Sequence, residues 1–171
     1  AGGWCLQPFK KIEQAFKKIG IRLDSTVFPK GKFTAGNYYY DFTGAPDLSK
    51  WQFDEDLCVP QADGFFWEYP ISGHTYTPLF FWKLFVLGRL QPRLHKPIGD
   101  GFPMPSPGLR KEMLTRGMHL SANVDGYFVT KLDRIVRKNR AKGFEETVFI
   151  GHPKACTLFA LERLEKFIIR H

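Results

Sequence analysis

An α/β fold, with parallel strands packed against helices, is what this chain of 171 residues predicts. Near each end, an amphipathic helical segment adjoins a short run of apolar and β-branched residues, at 8–28 and again at 127–169. At the first of these, Gly20 alone joins helix to strand, the minimal loop of a packed α/β unit. The order is helix–strand, a long middle region, then helix–strand–helix, and such alternation builds parallel sheets against helices.

The first helix is PFKKIEQAFKKIG, residues 8–20. Phe9, Ile12, Phe16 and Ile19 fall on one apolar stripe. Pro8 suits the first helical position and Gly20 the position just past the end. IRLDSTVF, 21–28, follows as a strand. Residues 29–110 hold most of the prolines and read as a long irregular insertion. YYYDFTGAPD and KWQFDEDLCVPQADG are turns between short extended pieces. GFFWEYPI, 64–71, is strand-like, with Phe66, Glu68 and Pro70 on the face opposite Phe65, Trp67, Tyr69 and Ile71. PLFFWKLFVLGRL, 78–90, is apolar nearly all round and fits a buried helix, although its periodicity also permits a strand. HKPIGDGFPMPSPG, 95–108, is a loop. No low-complexity linker or internal repeat divides the chain, so 1–171 is expected to form a single domain.

Residues 109–117 form a short helix ending at Gly117, and MHLSANV, 118–124, a strand. Phe128, Leu132 and Ile135 mark the apolar side of a helix over 127–141, with Asp125 as its cap and Gly143 at its end. ETVFIGHP, 146–153, is the second clear strand. TLFALERLEKFII closes as a helix, with Thr157 as N-cap and Leu158, Leu161, Leu164 and Ile168 inward.

A hydrophobic content of 43% and an aromatic content of 16% belong to a folded domain and exclude a disordered tail. No apolar run is long enough to span a membrane. The net charge of +8 permits polyanionic partners. The cations are mostly scattered, however. The densest run, Lys131–Lys142, places them opposite Phe128, Leu132 and Ile135, as a solvated helix face does. Nucleic acid is therefore not an expected partner. Cys5, Cys58 and Cys156 are too few and too dispersed for a disulfide framework or a thiolate zinc site, and lean toward a reducing, cytoplasmic compartment.

Functional groups in α/β proteins gather at the carboxyl ends of strands, where loops converge on a crevice. His152 stands at such an end, between Gly151, which gives the backbone room, and Pro153, which stiffens the exit. An imidazole there can donate a proton near neutral pH, or it can merely cap the strand. Asp24, beside the other strand, can share that crevice and orient the ring; alternatively Ser25 and Thr26 satisfy it locally. Glu68 lies among aromatics on which sugar rings could stack: Trp51, Trp67, Tyr69 and Trp82 form a groove, or else fill the core. His74, His95 and His119 show no ligand-pair spacing and read as surface or loop histidines.

AGGW (1–4) before a helix, then IGIRLDSTVFPKG (19–31), WEYPI (67–71), and VFIGHPK (148–154) followed by TLFALERLEKF resemble the carboxyl-terminal part of the polysaccharide deacetylase family, the NodB-homology domains. The resemblance covers both ends of the chain and is vague over 29–110. It implies a distorted (β/α) barrel and hydrolytic removal of N- or O-acetyl groups from a glycan, assisted by a divalent metal, with zinc the first choice. It makes AGGW similar to the loop after the third motif's arginine, Asp24 to the fourth motif and His152 to the catalytic acid. Catalysis is then expected of His152 and Asp24, and sugar contact of Trp4, Trp67, Glu68 and Tyr69. The family's Asp-Asp and His-x-x-x-His motifs precede the third motif and have no positions here. The expectation is thus a truncated domain without metal ligands of its own, whose exposed edges need self-association or a missing amino-terminal segment. The other reading is a non-catalytic module that binds a glycan or polyanion.

Overall fold

The computed structural model describes residues 4–35, 38–99 and 108–171. The AGGW loop is described only at Trp4, and the proline-rich loop only at its two ends. The fold is mixed α/β. Among the described residues the strands form three small sheets and no closed barrel. The chain divides into two compact units: residues up to Gly73 with Asn139–Val148, and His74–Lys138 with Phe149–His171.

In the first unit the expected helix comes as a 3₁₀ turn, Phe9–Lys11, followed by α1, Glu13–Lys18. Gly20 ends it at φ +78°, with Gly20 N–H donating to Lys17 and Ile21 N–H to Phe16. This is the Schellman pattern, for which glycine is the unstrained residue. The strands are β1 (Leu23–Asp24), β2 (Lys32–Ala35), β3 (Tyr38–Asp41), β4 (Trp51–Phe53) and β5 (Phe66–Glu68). β1 runs parallel to β5, pairing Leu23 with Trp67 and Asp24 with Glu68, and β4 lies antiparallel on the other side of β5. β2 and β3 form an antiparallel hairpin. The run 21–28 ladders only at Leu23–Asp24, yet Trp67, Tyr69 and Ile71 N–H donate in turn to Arg22, Asp24 and Val27, keeping it extended beside 67–71. Phe9, Phe53 and Phe66 form the core beneath this sheet, with ring centroids 4.9–5.4 Å apart. Trp51 belongs to that buried side.

In the second unit β6 (Gly73–Tyr76) enters from His74 and pairs with β7 (Met118–Ser121). Between them lie α2 (Pro78–Leu90), capped by Thr77, then α3 (Pro92–His95) and α4 (Leu109–Thr115). A 3₁₀ turn at Gly126–Lys131 leads into α5 (Leu132–Ala141). Another at Pro153–Ala155 precedes α6 (Leu158–Arg170), whose N-cap Thr157 accepts from Ala160 N–H at 3.1 Å. One core gathers Tyr76, Phe80 and Phe81 with Leu84, Phe85 and Phe128. A second gathers Val129, Leu132 and Ala160 with Phe149, Phe159, Leu164 and Phe167.

Three expectations need correction. The run 146–153 is not a continuous strand; it makes two isolated parallel bridges, Ile71 with Val148 and Asn123 with Ile150. The helix over 78–90 forms, but only Phe80 and Phe81 are fully buried, and Leu79, Trp82, Val86 and Leu90 stand in solvent. On α6 the inward face is Phe159, Ala160, Leu164 and Phe167, while Leu158, Leu161 and Ile168 are exposed. Both α6 stripes have helical spacing, and the one carrying two aromatics buries more apolar area. The cations of α5 do lie away from its buried Leu132, Ile135 and Val136. No helix among the described residues is long and apolar enough to cross a membrane.

Candidate functional site

In the second unit, residues 122–125 run beside 150–152. Ile150 N–H donates to Ala122 at 3.0 Å and Val124 N–H to Ile150 at 2.9 Å. Two residues past the Asn123–Ile150 bridge both segments carry a titratable side chain, Asp125 on one and His152 on the other. Gly151 makes the approach feasible, since a Cβ there would sit 2.7 Å from Val124 Cγ2. His152 N–H donates to Asp125 Oδ1 at 2.8 Å, and its ring Nδ1 lies 2.7 Å from Asp125 Oδ2.

Both Asp125 oxygens are thus spent on one residue. Asp125 is buried, whereas the His152 side chain remains 39% exposed. A carboxylate on Nδ1 places the proton of the neutral ring there and leaves Nε2 for an outside partner. Nε2 makes no hydrogen bond among the described residues. An imidazole oriented in this way can exchange a proton with a bound molecule. Sequence reasoning read Asp125 as a helix cap. It precedes the 3₁₀ turn but makes no side-chain cap bond. The signal that pointed to His152, a strand's carboxyl end, was also present at Asp125.

Asp125 also lines an open cavity of about 470 Å³ with Arg89, His95, Arg110, Tyr127 and Phe128 among its walls. The Arg110 guanidinium lies over the Phe85 ring at 4.8 Å, and Tyr127 stacks on Phe159.

Asp24 has a different partner in the first unit. Its register neighbour is Glu68, which is fully buried. Glu68 Oε1 accepts from Thr26 N–H at 3.1 Å and Val27 N–H at 2.9 Å. Asp24 Oδ1 accepts from the Thr26 hydroxyl at 2.8 Å. The remaining oxygens, Asp24 Oδ2 and Glu68 Oε2, are both buried and meet no donor among the described residues. Burial first, and the Asp24 charge second, push the Glu68 carboxyl up to about 9. Glu68 is therefore a neutral acid at neutral pH, and its one proton can serve both orphaned oxygens.

Glu68 faces inward, while Trp67, between the buried Phe66 and Glu68, is partly exposed. Trp67 and Tyr69 share the other face, with rings 6.3 Å apart. Trp4 sits against Phe28 and Tyr40 at positive φ. Trp51 donates its indole N–H to Leu57 in the core. Asp24, Trp4, Trp67, Glu68 and Tyr69 all belong to the first unit, and His152 to the second.

His74, expected at the surface, is buried instead. Burial, followed by the charges of Arg134, Lys138 and Lys131, lowers it to about 4. His119 Nδ1 lies 3.2 Å from the Thr75 hydroxyl, and His95 packs on Phe159. Among the described residues no three His, Cys, Asp or Glu gather to hold a metal ion. No disulfide links Cys5, Cys58 and Cys156, and burial pushes the Cys58 thiol up to about 12. No family model, curated protein or solved structure matches this chain.

Proposed function

We propose that the chain is part of a polysaccharide deacetylase, a hydrolase that removes acetyl groups from a glycan, and that His152 is its general acid. The observation that carries this is the Asp125–His152 pair: a buried carboxylate 2.7 Å from Nδ1, with Nε2 left for substrate. In hydrolysis of an N-acetyl group, water adds to the carbonyl carbon and the C–N bond breaks. The departing nitrogen must take up a proton as the acetate forms. Protonated His152 supplies it from Nε2, while Asp125 holds the ring through Nδ1. The parallel pairings of β1 with β5, Ile71 with Val148 and Asn123 with Ile150 support a distorted (β/α) barrel as the parent architecture. The family resemblance implies a divalent metal, zinc first. The described residues do not fit one, since no three His, Cys, Asp or Glu gather among them.

Acetate release from N-acetylated and O-acetylated glycans tests the reading. His152→Ala is expected to lower turnover by about 10²–10⁴-fold, the usual worth of a general acid, with the fold retained by circular dichroism and a stability loss of about 1–3 kcal/mol for the buried Asp125 Oδ2 left without its partner. Full activity in that variant would remove His152 from the chemistry. A second reading, a module that binds an acidic glycan without cleaving it, draws on Arg89 and Arg110 in the cavity beside Asp125. Binding without acetate release, lost on replacing those arginines, would favour it.

A further inference from the structure

Helix α2 is apolar on nearly every side, a composition that normally belongs to a fully enclosed helix. Phe80, Phe81, Leu84 and Phe85 use one side for the core. The other side carries Leu79, Trp82, Val86 and Leu90, at i, i+3, i+7 and i+11, and these are 63%, 53%, 42% and 74% exposed. Leu94 and Ile98 extend the exposed apolar surface through α3 and beyond. Trp82 is held by its indole N–H, which donates to the Leu114 carbonyl at 3.2 Å, so its ring is presented rather than loose. Contiguous apolar surface of this kind marks a site of contact with something else.

The charges around it identify the partner's chemistry. Residues 69–99 contain no aspartate or glutamate. They contain Lys83, Arg89, Arg93 and Lys96, all exposed, and none forms an ion pair among the described residues. On the helical wheel Lys83 and Arg89 flank the Leu79–Trp82–Val86–Leu90 stripe on its two sides. Helix α4, packed against α2, adds Arg110 and Lys111 against the single acid Glu112, and Arg116 follows at its C-cap. A second copy of this face would oppose cations with cations. A stripe of tryptophan and aliphatic residues rimmed by cations without ion-pair partners among the described residues instead suits an anionic membrane surface, the apolar side chains meeting the headgroup–acyl boundary and the cations the phosphates.

We propose that the outer face of α2, continued by Leu94 and Ile98, docks peripherally on an anionic lipid bilayer. The apolar stripe enters the boundary between headgroups and acyl chains, while Lys83, Arg89, Arg93 and Lys96 meet the lipid phosphates. Neither contribution suffices alone, and together they give reversible attachment. This proposal does not depend on the deacetylase reading.

Sedimentation with lipid vesicles tests it. The chain should pellet with vesicles of phosphatidylcholine and phosphatidylglycerol, much less with phosphatidylcholine alone, and less as salt rises. Arg89→Ala with Arg93→Ala should cut partitioning about fivefold per cation removed. Leu79→Ser, Val86→Ser and Leu90→Ser together should abolish it, with far-UV circular dichroism unchanged because all three side chains already face solvent. A blue shift of tryptophan emission on binding should vanish in Trp82→Phe, although three other tryptophans remain. Failure to pellet with anionic vesicles would overturn the proposal. So would equal pelleting by the triple serine variant, or a dimer in solution that the same variant dissolves.

Discussion

With Nδ1 tied to Asp125, the neutral ring of His152 has one favoured tautomer, protonated at Nδ1. Nitrogen-15 NMR of labelled imidazoles should show it, and Asp125→Asn should free the ring to exchange between both forms. A mixed population in the unaltered protein would mean the 2.7 Å contact is not maintained in solution. Glu68 makes a second prediction. Glutamine has the same shape, can still accept from Thr26 and Val27 N–H, and can donate from its amide to Asp24 Oδ2 without needing a proton from water. Glu68→Gln should therefore raise stability at pH 8, where wild type resists ionising Glu68, and change little at pH 4. Chemical denaturation at the two pH values measures this, and a loss of stability at pH 8 would sink it. His152 was legible in the sequence because its cue is local: glycine, histidine and proline at the end of an apolar run. Its partner was not, since Asp125 lies 27 residues away and resembles an ordinary helix cap.

At the scale of elements, the bridge between 122–124 and 150 depends on Gly151. Alanine there would put a methyl group 2.7 Å from Val124 Cγ2, so the valine side chain or one of the two segments must shift. Gly151→Ala should cost about 1–3 kcal/mol, the usual range for overpacking, and disturb the His152 ring resonances. Adding Val124→Ala should recover part of both. An unperturbed single variant would show that close approach is not why glycine stands there. The helices were well legible, because caps and glycine stops are local chemistry: Gly20 and Gly143 both sit at positive φ, and Thr157 caps α6. Which face of α6 turns inward was not legible. Leu158, Leu161 and Ile168 compete with Phe159, Leu164 and Phe167 at similar spacing, and only the aromatic neighbours across the core decide.

Across the whole molecule, the two units respond to pH in opposite directions. His74 is lowered from 6.5 to about 4 in the folded second unit. The unfolded chain therefore binds a proton there first, and that unit loses stability as pH falls from about 6.5 toward 4. Its neighbours Arg134, Lys138, Lys131 and His119 are all basic and reinforce the effect. Glu68 is raised from 4.5 to about 9 in the folded first unit. Here the unfolded chain releases its proton first, so the contribution of Glu68 is full below about 4.5 and declines until about 9. Asp24 is the charge that faces this carboxyl most directly. Each group contributes a slope of at most about 1.4 kcal/mol per pH unit. Hydrogen exchange should thus find the second unit opening first in mild acid and the first unit opening first in mild alkali. The same unit leading at both ends would contradict this assignment.

Mixed α/β character was legible from the alternation of periods, whereas the antiparallel pairings of β2 with β3 and β4 with β5 were not. The division between units was not, because nothing in composition changes at Gly73 or Asn139. That division has a consequence for the order of synthesis. A nascent chain that has reached residue 138 holds every residue of the first unit up to Gly73, but not Val148, which bridges Ile71, nor Asn139, which bonds the Ser72 hydroxyl. The part of the first unit that ends at Gly73 must therefore wait for a segment made much later before its last strand partner arrives. Until then Ile71 remains available to any competing strand.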